Sequence, residues 1–280
     1  MESRSGYGGC VGGDSTEVMS TRVPTRALAI MSPDFNQPTV KSHMPTTTIS
    51  FVRQFLSELG PIFFAHYRGN WVFRGHADAA YELCPSIGRD KHTSVSREKY
   101  ERSVFDVFCR EAHGQLPFSP ANDWEWLSVG QHHGLPTRLL DWSYNPLVAL
   151  YFSVESKLET DGEFFALWST TKMSRNAHDR SPFDIKRPAK FYPKIVTPRL
   201  RSQEGLFVVC SDVDHPLDQS LRDDWKLERY VVPSSAKKTI RYELFRLGVH
   251  ASSVFPDIDG LAARLKWQHT VLPLDEDLIS

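Results

Sequence analysis

The sequence predicts an α+β fold. Three observations carry that prediction: segments with helical spacing of apolar residues, short apolar runs bounded by Gly and Pro, and an order of the two that is neither strict βαβ alternation nor strands alone. The chain has 280 residues, enough to bury a sizeable core in one large domain or two small ones. No internal repeat runs along it.

The elements follow in order. Residues 1–48 are rich in Gly, Ser, Thr and Pro and hold only Tyr7 and Phe35 in a chain that is 12% aromatic. So little apolar surface cannot offset the entropy of ordering, so a disordered tail is expected over 1–48 and one folded domain over 49–280. Arg22 and Arg26 would suit an organelle presequence, but Glu2, Asp14, Glu17 and Asp34 speak against one, and Met44 is an alternative start. From Ile49 onward Val52, Phe55, Leu56 and Leu59 share a helical face, which Gly60 and Pro61 are expected to end. The run NWVFRG reads as a strand ending at Arg74. Residues 95–113 read as a helix with Tyr100, Val104, Phe105 and Phe108 on one side and Ser96 near its start. EFFALW (163–168), GLFVV (205–209) and ERYVVP (228–233) read as short strands. Residues 237–249 read as a helix with Ile240, Leu244 and Leu247 inward and Gly248 as its stop.

Charge and cysteine usage exclude some classes. Lys plus Arg number 33 against 34 Asp plus Glu, a net charge of -1, so no whole-chain basic field points to nucleic acid or a membrane surface. Cys10, Cys84, Cys109 and Cys210 show no CxxC spacing and read as free thiols in a reducing compartment. There is no apolar run of about 18 residues and no apolar signal core. The expectation is a soluble, cytoplasmic protein with no membrane partner.

The stretch QHHGLPTRLLDWSYNPL (131–147) places many polar groups among core-type residues. Pro146 suits a first helical turn with Ser143 or Asn145 as cap, and LVALYFSV after it is apolar on nearly all faces, hence a buried helix. Polar groups before such a helix sit where free N–H groups favour an anion. His132, His133, Thr137 and Arg138 would then form a ligand wall. Against this stands the reading of Arg138 and Asp141 as a partly buried ion pair, with Asp141 structural. Adjacent His132 and His133 would point apart in a strand and have no third ligand at a metal spacing, so no metal site is expected. Trp124, Trp126 and Trp142 read as core. Arg74 reads either as a strand-end surface charge or as a ligand contact, and Gly75 after it lets a backbone or ligand come close.

At these residues a resemblance appears. Phe73-Arg74-Gly75, the long run from Leu127 to Val154, RSQEGLFVV (201–209) and LFRLGVHASSVFPDIDGLA (244–262) are similar to the motifs of the FRG-domain family, over about Ile49 to Lys266. The resemblance implies an ADP-ribosyltransferase-like fold, a split β-sandwich with flanking helices that holds NAD as substrate in a cleft. It implies Arg74 at the end of the first core strand, Thr137 and Ser143 near a strand leading into a buried helix, and Gln203 or Glu204 on a late strand.

The implied chemistry fits those residue types. Cleaving the glycosidic bond of NAD builds positive charge on the ribose while the pyrophosphate is held still. An arginine fork such as Arg74 suits phosphate, with Gly75 beside it, and Thr137 and Ser143 would shape the nicotinamide and ribose side. A carboxylate suits the ribose hydroxyl, yet Gln203 is neutral, and in a strand Glu204 would face the opposite way. The reading is an NAD-dependent transferase with catalytic Arg74, Thr137 and Gln203 or Glu204, acting on protein, RNA or DNA, in a toxin or anti-phage role. His132, His133 and Arg138 would line the cleft or contact the acceptor. Two alternatives stay open: a non-catalytic nucleotide or RNA sensor, and a hydrolase with His132 or His133 as base oriented by Asp141.

Overall fold

The computed structural model describes residues 47–65, 71–89, 96–169, 180–194 and 197–271. The fold is α+β. Its strands, among the described residues, are β1 (Thr47–Thr48), β2 (Trp71–His76), β3 (Leu139–Ser143), β4 (Gly162–Ser169), β5 (Ala189–Phe191), β6 (Gly205–Val209) and β7 (Trp225–Val232). They form one sheet in the order β1-β7-β4-β2-β3-β6-β5, antiparallel throughout except where β1 joins β7.

The sheet is joined unevenly. β2 pairs with β4 along its whole length, from Trp71–Trp168 to His76–Glu163, and β3 pairs with β6 from Leu139–Val209 to Ser143–Gly205. β2 and β3 meet only at Phe73 and Ser143. Beyond that pair the strands part, and the sheet forks into a four-stranded half and a three-stranded half.

The helices explain why the fork stays open. α1 (Val52–Ala65), α5 (Pro146–Val154), α7 (Ser234–Arg246) and α8 (Ala251–Val254) bury apolar side chains on Phe73, Phe164, Ala166 and Tyr230. α3 (Arg97–Ala112) and α4 (Asp123–His132) place Phe105, Trp124 and Leu127 on Leu139, Phe191 and Phe207. Register puts Phe73 and Ser143 on one face, and alternation adds Asp141 and Leu139, so these two cores share a face and are divided above the fork. On the opposite face Val72, Phe165, Leu140, Trp142 and Leu206 belong to one core that runs across it.

Several sequence expectations shift. α1 continues through Gly60 and Pro61, because Val52, Phe55 and Leu59 are buried together and that packing outweighs the amide bond Pro61 cannot donate. Leu56 leaves the helical face and is 44% exposed. α7 starts at Ser234 and ends in a Schellman turn, with Val249 N–H on the Leu244 carbonyl at 2.8 Å and Gly248 at φ +82°. Leu247, expected inward, sits at that turn and is 57% exposed. Thr47 and Thr48 pair with Tyr230 and Val231, so strand pairing includes residues before the expected boundary at 49. The rest of the expected tail, with Cys10, lies outside the described residues. Cys84, Cys109 and Cys210 are free thiols. No helix among the described residues is long and apolar enough to cross a membrane. Short helices α2 (Ser86–Arg89) and α6 (Pro198–Ser202) and the longer α9 (Ile258–Val271) complete the α-helices among the described residues.

Candidate functional site

The fork makes the site. Strand alternation puts Gly75 with Phe73 under α5, where a Cβ would collide with the Ala149 carbonyl oxygen, so glycine here permits close backbone packing. Arg74 and His76 lie with Val72 on the other face. Where β3 departs, the Arg74 guanidinium enters the gap: Nη1 donates to the Asp141 carbonyl at 2.5 Å and Nε donates to His76 Nε2 at 2.9 Å. His76 Nδ1 donates in turn to the Tyr81 carbonyl at 3.1 Å, which fixes the tautomer that leaves Nε2 free to accept. Its ring packs on Phe165, with centroids 5.0 Å apart.

These groups are out of water, and their ionisation reflects it. Arg74 is 14% exposed, and burial draws its pKa down to about 10, which leaves it cationic at neutral pH. Burial, followed by the Arg74 charge, drives His76 down to about 3, so its imidazole is neutral. The Asp141 carboxylate stands 4.0 Å from Arg74 Nη1. Among the described residues Arg74 Nη2 makes no hydrogen bond.

Over the fork opens a cavity of about 320 Å³. Arg74 and Asp141 lie at its base, His132 and Gln131 on the α4 side, and Arg199 and Gln203 on the α6 side. Phe152, Phe207 and Phe255 add aromatic surface. Arg74 and Arg199 are its arginines, and Asp141 is its carboxylate. Burial, then the neighbouring His133, lowers the His132 pKa, favouring neutral imidazole.

Arg74, Gly75, His132, Ser143 and Gln203 all reach this cavity, although they come from four elements and their flanks. Thr137, Arg138, His133 and Glu204 do not line it. Thr137 is fully buried; its hydroxyl donates to Gln131 Oε1 at 2.5 Å and accepts from the Leu139 amide at 3.1 Å. Gln131 then donates from Nε2 to Asp141 Oδ2 at 2.9 Å, so Thr137 acts on the cavity through Gln131. His133 is exposed at the C-terminus of α4, its ring edge-on to His132 at 5.0 Å.

Four expectations need correction here. Arg138 pairs with Glu101, not Asp141: Nη2 and Nε donate to Oε2 at 2.7 and 3.0 Å, and the two residues are 2% and 1% exposed. Asp141 is free of that pair because β3 turns its side chain toward the cavity, where 57% of it is exposed. The N-terminus of α5 is closed by Asn145, whose Oδ1 accepts from the Leu147 and Val148 amides at 3.0 and 3.4 Å, so the expected anion site is already filled. Gln203 and Glu204 lie on the turn between α6 and β6, not on a strand; Glu204 takes a left-handed φ of +47° and accepts from Asn145 Nδ2 at 3.3 Å. The Gln203 carbonyl is held by the Ser143 hydroxyl at 2.6 Å, and its side-chain Nε2 donates to the Val254 carbonyl at 3.3 Å.

Sequence reasoning passed over Glu101, His76 and Arg199. Glu101 was visible as a charge four residues before Phe105, on the apolar side of α3. His76 was visible as the same-face neighbour of Arg74 two residues on. Arg199 follows Thr197-Pro198, a cap-and-first-turn signal, and that cap is present with Thr197 Oγ1 accepting from the Leu200 amide at 3.1 Å. No three His, Cys, Asp or Glu side chains gather as a metal site among the described residues.

Comparison with protein-family models matches residues 69–162 to the FRG domain. That span carries β2 with Arg74, all of α4, β3 and α5, while α6 and the Gln203 turn lie beyond it. Neither the curated proteins nor the solved structures gave a match.

Proposed function

For a chain that carries an FRG domain, we propose that the cleft at the fork binds NAD or a related nucleotide and that the protein transfers ADP-ribose from it to a protein, RNA or DNA acceptor. One observation carries this reading. Arg74 is largely buried and fixed by His76 and the Asp141 carbonyl, yet its Nη2 edge has no partner among the described residues and the side chain lines the cavity. A cation aimed and left partly unpaired in this way suits a phosphate group.

The remaining groups can be assigned to the reaction. Phe152 and Phe207 give flat apolar surface to nicotinamide or adenine. Gln203, whose turn is pinned by Ser143, addresses the ribose hydroxyl. The bond between the ribose anomeric carbon and nicotinamide breaks with its electron pair leaving on nicotinamide. An acceptor oxygen or nitrogen forms the new bond to that carbon and gives up its proton to water. His132, neutral and beside the cavity, is placed to meet the acceptor. Arg138 stays with Glu101 and Thr137 with Gln131, so both support the site without touching ligand.

A second reading, a nucleotide sensor without turnover, has its own observation. Glu204 points to Asn145, and the residue that reaches the cavity is the uncharged Gln203, a weaker stabiliser of an oxocarbenium-like ribose. Incubation with labelled NAD and separate pools of protein, RNA and DNA, with calorimetry alongside, separates the two. Transfer of label with nicotinamide release supports the transferase. Binding without release leaves the sensor, and no binding of NAD, ADP-ribose or AMP removes both.

A further inference from the structure

We propose that Arg199 is a second phosphate-binding group of the cleft and that the ligand is therefore a diphosphate of the dinucleotide or ADP-ribose class, not a nucleoside monophosphate. The inference rests on the nucleotide reading above and adds a second phosphate contact to that site.

Arg199 stands on α6 and lines the cavity that Arg74 enters from the fork. Its guanidinium lies over the Phe255 ring, 4.6 Å from the centroid, so the plane of the cation is held by an aromatic face that is itself a cavity wall. Its edge is poorly served. Nε is sealed from solvent without a hydrogen bond among the described residues, and Nη2 is 3.6 Å from Asp257, a loose pair with side chains 40% and 44% exposed. The sealed Nε is out of a ligand's reach, but the side chain is 40% exposed and that loose pair is its one ion pair among the described residues, so its exposed Nη edge is open to a ligand oxygen. A monophosphate on Arg74 leaves this edge as it is. A diphosphate gives each arginine its own oxygens, and aromatic stacking fixes the Arg199 plane before the ligand arrives.

The competing reading is structural: Arg199 would tie α6 to the segment before α9 through Phe255 and Asp257. Calorimetry on wild type, Arg199→Ala, Arg199→Lys and Asp257→Asn with ADP-ribose, AMP and adenosine decides between them, with thermal melts run on each protein. We expect wild type to prefer ADP-ribose to AMP. Arg199→Ala should lose about ten- to hundredfold for ADP-ribose, the range of a charge-assisted hydrogen bond, with less than about threefold lost for AMP. Arg199→Lys should recover part, and Asp257→Asn should bind ADP-ribose at least as tightly as wild type. If Arg199→Ala does not fold, Arg199→Gln takes its place with the same expectations. Wild type binding ADP-ribose while the Arg199 variants bind it within threefold overturns the proposal and leaves the nucleotide reading intact. Equal losses for ADP-ribose and AMP overturn it too. Absence of all binding by wild type removes both.

Discussion

Arg138 and Arg74 sit at the two sides of the same fork, and their surroundings differ in one respect. Arg138 is fully buried and Arg74 largely so, and both are held by neighbouring elements. Arg138 has its Nε and Nη2 on Glu101 at 2.7 to 3.2 Å, its backbone amide on the same carboxylate at 2.8 Å, and Nη1 facing the Pro182 and Phe183 carbonyls at 3.5 and 3.4 Å. Arg74 has two neutral acceptors, the Asp141 carbonyl and His76, and a carboxylate only at 4.0 Å. A buried cation with its donors saturated by its own chain joins elements together. One left short of acceptors beside a cavity is fit for a ligand.

The saturated side should break hardest. Glu101→Ala leaves the Arg138 charge buried without its partner, and the expected cost is about 3 to 5 kcal/mol of stability, read by urea unfolding. The double change Glu101→Leu with Arg138→Met should cost less than either single change, because no charge is then stranded. A loss below about 1 kcal/mol for Glu101→Ala would show that Arg138 is not the structural arginine of the pair.

Arg74 should affect binding more than folding. Arg74→Ala removes hydrogen bonds to two neutral acceptors, so stability should fall by about 1 kcal/mol, while nucleotide affinity should fall by about 1.5 to 3 kcal/mol. Arg74→Lys should recover only part of the affinity, since the ammonium lacks the fork. Calorimetry with ADP-ribose measures it, and equal binding by all three proteins would remove Arg74 from the site.

The contrast between these arginines marks the limit of what the sequence could tell. The cores of α1, α3, α5, α7, β2, β4, β6 and β7 followed from local spacing, as did the cap at Ser96 and one of the two cap candidates before α5, since periodicity and capping act within a few residues, whereas α4, α9, β3 and β5 were not read. Arg74 as a binding candidate was legible from a charge beside Gly75 after an apolar run. The partner of Arg138 was not, because Glu101 is 37 residues away and nothing local distinguishes it from Asp141, three residues on. The Gln203–Glu204 turn escaped for a related reason. Strand alternation would apply to Gln203 and Glu204 only if β6 began before Gly205, whereas the Ser143 hydroxyl, 60 residues earlier, holds the Gln203 carbonyl in a helix-ending turn.

His76 sharpens the comparison through pH. Its folded pKa, about 3, lies below its ordinary value of 6.5, so between those two the unfolded chain binds the proton that the folded chain refuses. Stability therefore falls as pH drops through that window, with a slope approaching about 1.4 kcal/mol per pH unit from this group. His76→Asn, which does not titrate, should remove that part of the slope in melts between pH 6.5 and 4. An unchanged slope would place the acid sensitivity elsewhere and leave His76 without a neutral acceptor role toward Arg74.

The smallest effect is expected at Asp141. Had it been the partner of Arg138, its removal would strand a buried charge; instead its carboxylate is 57% exposed and holds only the Gln131 amide at 2.9 Å among the described residues. Asp141→Ala should therefore cost less than about 1 kcal/mol in stability, and the Arg74 bond to its backbone carbonyl should persist because the main chain is unaltered. Its effect on binding should have the opposite sign to that of Arg74. Asp141 is the carboxylate of a cavity whose other charges are Arg74 and Arg199, so its loss should tighten an anionic ligand several-fold, most clearly at low salt. Titration of ADP-ribose into wild type and Asp141→Ala at two ionic strengths reads both the sign and its screening. Weaker binding by the variant with unchanged melting temperature would mean that Asp141 contacts the ligand as an acceptor, and the fork would then bind through its carboxylate as well as its arginine.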